Sequence, residues 1–160
     1  MAKPFILVVE DNPDHLELAV ETFRDAGVTV PIEVARDGVE ALDFLFARGA
    51  YASRSSDHQP AFVMLDIKLP RLSGIDVLRQ MRSNPLTAVV PVIMLTSSTE
   101  RSDVQTCYEA GANSFVHKSF DFALYTEKLQ CLQAYWLEVN ESSEPDSMFT
   151  PLAGLIDGGH

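Results

Sequence analysis

Apolar runs alternate with segments of helical periodicity along most of the chain. Three runs are continuously apolar, which is typical of strands covered on both faces in a parallel sheet. They are Phe5–Val9, Phe62–Leu65 and Val92–Leu95. The shorter run Ser114–His117 predicts a further buried strand. Val30–Val34 alternates slightly and contains Pro31, which predicts an edge strand.

The segments between these runs carry apolar residues at helical spacing. In the first, Asn12-Pro13 predicts a cap followed by a first-turn proline, and Gly27 ends the helix. The apolar stripe of this helix is Leu16, Ala19, Val20, Phe23 and Ala26. The other predicted helices are marked by Ala41, Leu42 and Leu45 with an end near Gly49, and span Gly74–Met81, Glu100–Ala110 and Asp121–Val139. The alternation predicts an α/β fold with a doubly wound parallel sheet and right-handed crossovers.

Two segments fall outside this alternation. Residues 51–60 are polar and irregular, which predicts a surface loop before the third strand. Residues 140–160 contain acidic residues, prolines and a terminal Gly-Gly-His, which predicts a loosely ordered tail after a domain at residues 1–139.

Composition excludes several classes of protein. A chain of 160 residues with 46% hydrophobic residues suits one globular domain. Its net charge of −11 disfavours binding to nucleic acid or to an anionic membrane surface. No apolar run reaches a membrane span, and no secretory signal is expected. Cys107 and Cys131 have no metal-type spacing, so we expect reduced, buried thiols in a cytoplasmic protein.

Polar residues stand where four of the predicted strands end. Glu10-Asp11 follows the first strand, Asp66 the third, Thr96-Ser97 the fourth and Lys118 the fifth. Ligands of such sheets bind at the carboxyl ends of the strands, so these side chains should converge on one rim. Each residue alone would suit a cap, a turn or a solvated lysine. Their joint occurrence at matching ends favours a site.

The chemistry of this rim suits a divalent cation and a phosphoryl group. Three carboxylates repel one another, and Mg²⁺ prefers such oxygen ligands. Asp66 could act as a nucleophile, while Glu10 and Asp11 hold the metal. Lys118 could pair with one phosphoryl oxygen, and the Thr96 hydroxyl could donate to another. The four histidines, His15, His58, His117 and His160, do not cluster in sequence, which disfavours a histidine metal site.

These residues resemble the receiver domain of two-component response regulators. The motifs that carry the resemblance span roughly residues 4–138: Val8-Val9-Glu10-Asp11-Asn12, Leu65-Asp66-Ile67-Lys68-Leu69-Pro70 with Gly74, Leu95-Thr96-Ser97 and His117-Lys118. The resemblance implies a flavodoxin-like sheet of five strands in the order 2-1-3-4-5 with five helices. It also implies a cytoplasmic signalling domain and not an enzyme, with self-catalysed phosphoryl transfer and slow autodephosphorylation as its chemistry. We expect no output domain of its own.

The resemblance assigns a role to each site residue. Asp66 is the phosphoacceptor, loaded from a phosphohistidine of a sensor histidine kinase. Asp11 is a direct ligand of Mg²⁺, Glu10 acts directly or through water, and the backbone carbonyl of Lys68 is a further ligand. Thr96 is the switch hydroxyl and Lys118 the phosphate-pairing lysine. Phe115 occupies the switch aromatic position, where it lacks a tyrosine hydroxyl, so only a ring movement could serve as its switch.

A narrower resemblance is to single-domain regulators paired with bacterial phytochromes. Its motifs are Ala41-Leu42-Asp43-Phe44-Leu45, Gly49-Ala50-Tyr51 with the long loop, Asn113-Ser114-Phe115 and Ala134-Tyr135-Trp136. It implies a phytochrome-type kinase as partner.

Two positions near the site leave alternatives open. Receiver domains usually have a proline after the lysine, with a cis peptide, whereas this chain has Ser119. Either the Lys118–Ser119 bond is cis and strained, or the loop follows another path. Lys68 either faces solvent without a role or alters the access of attacking water, and thereby the phosphoryl lifetime.

The last helix carries apolar residues on two sides. Its main stripe is Phe122, Tyr125, Leu129, Leu132, Trp136 and Val139, and the residues off that stripe are Leu124, Cys131 and Tyr135. Much of the main stripe should be core, because this helix covers the sheet, and the second side predicts a homodimer through this helix. The alternative is a monomer whose tail folds over the second side.

Two other functions would share the predicted sheet. A flavodoxin-like electron carrier needs a phosphate loop rich in hydroxyls and glycine after the first strand, where Glu10-Asp11 would repel a flavin phosphate. A phosphohydrolase with an aspartyl nucleophile would be expected to carry an Asp-x-Asp pattern. In this chain Lys68 stands where the second aspartate would be.

Overall fold

The computed structural model describes residues 3–97, 100–119 and 121–140. Within these ranges, five strands alternate with five α-helices. The strands are β1 (Ile6–Val9), β2 (Ile32–Ala35), β3 (Phe62–Asp66), β4 (Val92–Thr96) and β5 (Ser114–His117). The helices are α1 (Pro13–Asp25), α2 (Gly38–Leu45), α3 (Gly74–Ser83), α4 (Arg101–Glu109) and α5 (Phe122–Ala134). A 3-10 turn spans Gly49–Tyr51, and a π-helical turn spans Tyr135–Val139.

The strands form one parallel sheet in the order β2-β1-β3-β4-β5. This confirms the predicted α/β, flavodoxin-like architecture and its strand order. Every residue of β1, β3 and β4 is buried, which explains why these strands are continuously apolar up to Asp66 and Thr96. The edge strands β2 and β5 are only partly buried.

The predicted second strand, Val30–Val34, lies too early in the chain. Strand β2 begins at Ile32 and ends at Ala35, paired with β1 from Ile6 opposite Ile32. Pro31 has no N–H for the ladder. Its carbonyl instead accepts a hydrogen bond from the Ile6 amide at 2.9 Å, just ahead of the first paired residues.

Successive strand residues alternate between two cores, one on each face of the sheet. On one face, Leu7 and Val63 pack with α2, α3 and Cys107 of α4. On the other, Ile6 and Met64 pack with α1 and α5. Covering both faces leaves the ends of the strands as the part of the sheet where polar groups can reach solvent.

Side-chain caps fix where the helices around the rim begin. The Asn12 side chain accepts from the amides of Asp14 and His15, so α1 starts as the chain leaves β1. Ser73 caps α3 and Asp121 caps α5. Gly27, at φ +91°, follows α1 in the left-handed region, as its predicted role as a helix end requires.

The last helix differs from the prediction in shape. It is α-helical only to Ala134 and then widens into the π-helical turn. Tyr125, Leu129 and Leu132 are buried, as predicted for much of the stripe, whereas Phe122 is 60% exposed and Val139 56% exposed. These two residues lie at the ends of the helical segment.

The second apolar side of α5 is exposed as predicted. Leu124 is 43% and Tyr135 48% exposed, and Cys131 lies between them. Cys131 is therefore not the buried thiol that we expected, whereas Cys107 is buried; both are free thiols.

Arg54 helps to anchor the loop before β3. The Arg54 guanidinium lies 3.9 Å from the centre of the Phe44 ring and donates to the carbonyls of Phe44 and His58. Residues 51–60 thus pack against α2, although the segment after the 3-10 turn contains neither helix nor strand.

Two further observations concern the chain as a whole. None of the helices in the described ranges is both long enough and apolar enough to cross a membrane. The predicted tail lies outside the described residues from position 141 onwards.

Candidate functional site

The carboxyl ends of the strands bring the predicted polar residues together. Glu10 follows β1, Asp66 ends β3, Thr96 ends β4 and Lys118 follows β5. The register sets them side by side, because Val9 pairs with Leu65, Asp66 with Leu95 and Thr96 with His117. The Lys118 amide also donates to the Thr96 carbonyl at 2.7 Å. We call the group Glu10, Asp11, Asp66, Thr96 and Lys118 the rim site.

Most of the rim site is buried. Glu10 is 3%, Asp66 7% and Lys118 6% exposed, and the Thr96 side chain is buried as well. Asp11 is exposed. Buried charges need partners, so the contacts among these groups determine what the site can do.

The Lys118 ammonium lies at the centre of the rim site. Its Nζ is 2.7 Å from Asp66 Oδ2 and also forms an ion pair with Glu10 Oε1. A third neighbour is His15 Nδ1, 3.2 Å away. The lysine therefore joins β5 to the ends of β1 and β3 and to the first turn of α1.

Glu10 is the carboxyl group whose protonation is most altered by the fold. Burial, and then the neighbouring Asp66 carboxylate, raise the pKa of Glu10 from 4.5 to about 7, although Lys118 opposes them. Its Oε2 accepts from the Asn12 amide at 3.3 Å. The charged form of Glu10 thus gains from any further cation.

The acidic residues form a group of suitable size for a metal ion. One carboxylate oxygen from each of Glu10, Asp11 and Asp66 lies within 4.8 Å of the others. An all-oxygen set with a net excess of negative charge fits Mg²⁺ or Mn²⁺. Lys118 contacts two of the three acids, so a bound metal would compete with the ammonium for the same oxygens.

A glycine holds the chain tightly after Asp66. The Gly74 amide donates to the Ile67 carbonyl at 2.8 Å. A Cβ built at Gly74 would lie only 2.0 Å from the Asp66 carbonyl oxygen. No side chain fits there, so Gly74 lets α3 start directly beside the backbone of Asp66.

The structure shows the geometry at the Lys118–Ser119 bond and at Lys68, where the sequence left alternatives open. The described ranges contain no cis peptide bond, so Lys118–Ser119 is trans and the loop follows the alternative path. The Lys68 amide donates to Asp66 Oδ1 at 3.3 Å, while its side chain is exposed beside the rim.

Phe115 does not join the rim site. It is half-buried on β5, packs against the α2–α3–α4 core and lines a groove of about 520 Å³ between β5 and α5. We call this surface the β5–α5 face. Its principal lining residues are Phe115, His117, Leu124, Cys131, Tyr135 and Trp136.

Sequence reasoning missed His15. It was considered only for a histidine metal cluster, yet its Nδ1 lies next to Lys118 and 3.7 Å from Glu10 Oε1. Burial, and then Lys118, lower the pKa of His15 from 6.5. Its position could have indicated this, because the helix beginning at Pro13 starts at the rim and its first turn must lie there.

The comparisons with known proteins agree with this geometry. The family model of the response regulator receiver domain matches residues 6–130. Response regulator Rcp1 of Synechocystis sp. is 31% identical over 133 residues, which cover 83% of this chain and 88% of Rcp1.

Solved structures are similar over most of the chain. That of phosphorylated RcpA, a cyanobacterial phytochrome response regulator, has a TM-score of 0.83 and 28% identity, over 89% of this chain and all of RcpA (100%). That of the bacteriophytochrome response regulator AtBRR has a TM-score of 0.70 and 40% identity, over 88% of this chain and 100% of AtBRR. A structure of Rcp1 in its Mn²⁺-bound form has a TM-score of 0.82.

Proposed function

This chain belongs to the family of response regulator receiver domains, and we propose that it accepts a phosphoryl group on Asp66 from a sensor histidine kinase. The observation that carries the proposal is the position of Asp66. It ends β3, its Oδ2 contacts Lys118, and two further carboxylates lie within metal-binding range. The signalling output would be a change of shape read by protein–protein contact.

Each rim residue has a task in this reaction. An Asp66 oxygen forms a bond to phosphorus while the bond from phosphorus to the kinase histidine breaks. Lys118 and the Thr96 hydroxyl donate to the phosphoryl oxygens. Phe115, which pairs with Met94 two residues before Thr96, is the aromatic residue whose movement would report the change.

Glu10, Asp11, Asp66 and the Lys68 carbonyl would hold Mg²⁺. The bound cation would neutralise negative charge that develops on the phosphoryl oxygens. Lys118 contacts Glu10 and Asp66, so after phosphorylation it would exchange these partners for a phosphoryl oxygen.

The relatives support a narrower choice of partner. We propose a phytochrome-type histidine kinase, because RcpA and AtBRR are described as phytochrome response regulators and each is similar to most of this chain. The motifs around Ala41–Leu45 and Ala134–Trp136 support the same choice. We also propose that residues 1–139 form the receiver domain.

The β5–α5 face supports a homodimer. Leu124 and Tyr135 are exposed apolar residues beside a groove, on an edge of the sheet that has no further strand within the described residues. A second copy of the chain would cover this face. The negative net charge gives nucleic acid no comparable surface.

Phosphorylation by acetyl phosphate tests the proposed function. We expect labelling that requires Mg²⁺, falls to background in Asp66→Asn and is retained in Asp76→Asn, an acid in the first turn of α3. Labelling of Asp66→Asn equal to that of the unaltered protein would reject the assignment. Multiple turnover of a phosphomonoester would favour the phosphohydrolase, and a yellow purified protein the flavodoxin-like carrier.

A further inference from the structure

His15 occupies a place that the proposed chemistry has not used. It lies in the first turn of α1, where the side chain is 32% exposed, and Nδ1 faces inward. That nitrogen is 3.2 Å from Lys118 Nζ and 3.7 Å from Glu10 Oε1. The imidazole therefore contacts the side of the ammonium that faces α1.

The protons of the Lys118 ammonium determine which ring nitrogen of His15 carries a proton. A lysine ammonium has three donors and no acceptor. Its three neighbours are Glu10 Oε1, Asp66 Oδ2 and His15 Nδ1, so each donor has one partner. A proton on Nδ1 would point at these donors, so Nδ1 is the acceptor and Nε2 carries the ring proton.

The three partners differ in what happens to them when a phosphoryl group arrives. Asp66 becomes the modified residue, and Glu10 is required by the metal. His15 is neither, so its bond to Lys118 can persist in both states. It is the neighbour that could hold the ammonium in place while the other two contacts are exchanged.

The backbone around Lys118 makes such an anchor useful. Ser119 follows, where the receiver motif has a proline ring that would stiffen the chain. The Lys118 amide is bonded to the Thr96 carbonyl, which fixes the backbone but leaves the long side chain free to turn. Fixing a lysine side chain costs rotamer entropy, which a further hydrogen-bond partner helps to offset.

We propose that His15 is a positioning residue for Lys118, and that its Nδ1 holds the ammonium toward the phosphoryl group of modified Asp66. This inference rests on the proposed function of Asp66. Its effect should be specific to the phosphoryl-bound state, because only there does the ammonium have a phosphoryl oxygen toward which it must be held. Binding of Mg²⁺ alone should depend little on His15.

A pair of substitutions separates acceptor from bulk. In His15→Asn, Oδ1 stands as many bonds from Cα as Nδ1 does and can accept the same hydrogen bond. In His15→Leu, a methyl group takes that place. His15→Phe is a second variant without an acceptor and retains a ring, in case leucine disturbs the start of α1.

The measurement is the affinity for beryllium fluoride, a phosphoryl analogue, at saturating Mg²⁺, with the affinity for Mg²⁺ alone measured on the same samples. We expect His15→Leu and His15→Phe to weaken beryllium fluoride binding about tenfold, as loss of one charge-assisted hydrogen bond would. Affinity for Mg²⁺ should stay within about twofold, and His15→Asn should recover most of the loss.

Two results would overturn the inference: normal beryllium fluoride affinity in both acceptor-free variants, or an Asn variant as weak as the Leu variant. An equal loss of Mg²⁺ affinity would also reject it, since that would reveal general damage to the rim. Failure of the unaltered protein to be labelled on Asp66 would instead reject the proposed function, so the two failures are distinguishable.

Discussion

Charged side chains are buried at the rim site, whereas apolar side chains are exposed on the β5–α5 face. Glu10, Asp66 and Lys118 are all less than a tenth exposed, while Leu124 is 43% and Tyr135 48% exposed. Both arrangements are unfavourable for an isolated fold. The rim compensates internally, through ion pairs, but the β5–α5 face can be compensated only from outside the described chain. This difference is the reason why we propose chemistry at the first region and association at the second.

The sharpest way to break the rim is to remove its cation. Lys118→Met would leave Glu10 and Asp66 without their ammonium, and we expect the free energy of unfolding to fall by about 3 kcal/mol in Mg²⁺-free buffer. Mg²⁺ should restore part of the loss, because it neutralises the same oxygens. Denaturant unfolding with and without Mg²⁺ measures both effects.

The control for this variant is Lys128→Met on α5. Lys128 donates a hydrogen bond to the His117 carbonyl at 3.1 Å. This acceptor is a backbone carbonyl and not one of the rim carboxylates. Loss of this hydrogen bond should lower the free energy of unfolding by about 1 kcal/mol, by the same amount with and without Mg²⁺. Equal stability of Lys118→Met and the unaltered protein without Mg²⁺ would show that the carboxylates do not need the lysine.

The rim was largely predictable from sequence for a topological reason. In a parallel sheet, all carboxyl ends meet at one edge, so Glu10, Asp66, Thr96 and Lys118 are brought together by strand order alone. His15 could not be placed this way, because its contact depends on the direction in which α1 leaves the rim. The sequence likewise could not decide between a cis and a trans peptide bond at Lys118–Ser119.

The β5–α5 face can be tested with a charge. Leu124→Glu would place a carboxylate among apolar side chains of a dimer, and we expect dimer affinity to fall about thirtyfold. Light scattering across micromolar concentrations would then report one chain in place of two. Val89→Glu is the matched control, since Val89 is 72% exposed in the α3–β4 connection.

The result would also separate the two regions. Acetyl phosphate labelling of monomeric Leu124→Glu should remain close to normal, because Leu124 contributes nothing to the rim site. A variant that stays dimeric would remove the face from the proposed interface, and an unaltered protein that is monomeric at all concentrations would favour a tail folded over this side.

Edge features account for most of the differences between sequence and structure. Strand β2 starts after Pro31 because residue pairing with β1 begins at Ile32, which apolar alternation cannot reveal. Phe122 and Val139 continue a helical stripe in sequence but are exposed at its ends. Periodicity identifies the buried centre of an element, whereas its ends depend on tertiary contacts.

Protonation of Glu10 should make both the stability of the protein and its affinity for Mg²⁺ depend on pH. The Glu10 pKa of about 7 exceeds its ordinary 4.5, so the native metal-free protein retains a proton that the unfolded chain releases between these values. The contribution of Glu10 to stability is therefore present below pH 4.5 and lost as the pH rises through 7. Mg²⁺ requires the ionised carboxylate, so its affinity should change in the opposite direction.

Calorimetric titration at pH 6, 7 and 8 tests this opposition. We expect Mg²⁺ affinity to rise about tenfold from pH 6 to pH 8 and then to level off. Glu10→Gln should bind Mg²⁺ more weakly and lose most of this pH dependence. A dependence unchanged in Glu10→Gln would assign the titration to another group.

The two cysteines allow the test with the smallest perturbation, because Cys107 of α4 lies in the core and Cys131 on the β5–α5 face. Cys107 is buried, and burial, followed by Asp103, raises its pKa to about 11, so its thiol should react only when the protein unfolds. Cys131 is exposed on the β5–α5 face and should react in the native protein.

A second chain on that face should slow the Cys131 reaction severalfold as protein concentration rises. Cys131→Ser should abolish the fast reaction, and Leu124→Glu should abolish its dependence on concentration. A rate that is constant at all concentrations in the unaltered protein would mean that Cys131 stays uncovered, and the face would then lose its proposed role in dimerisation.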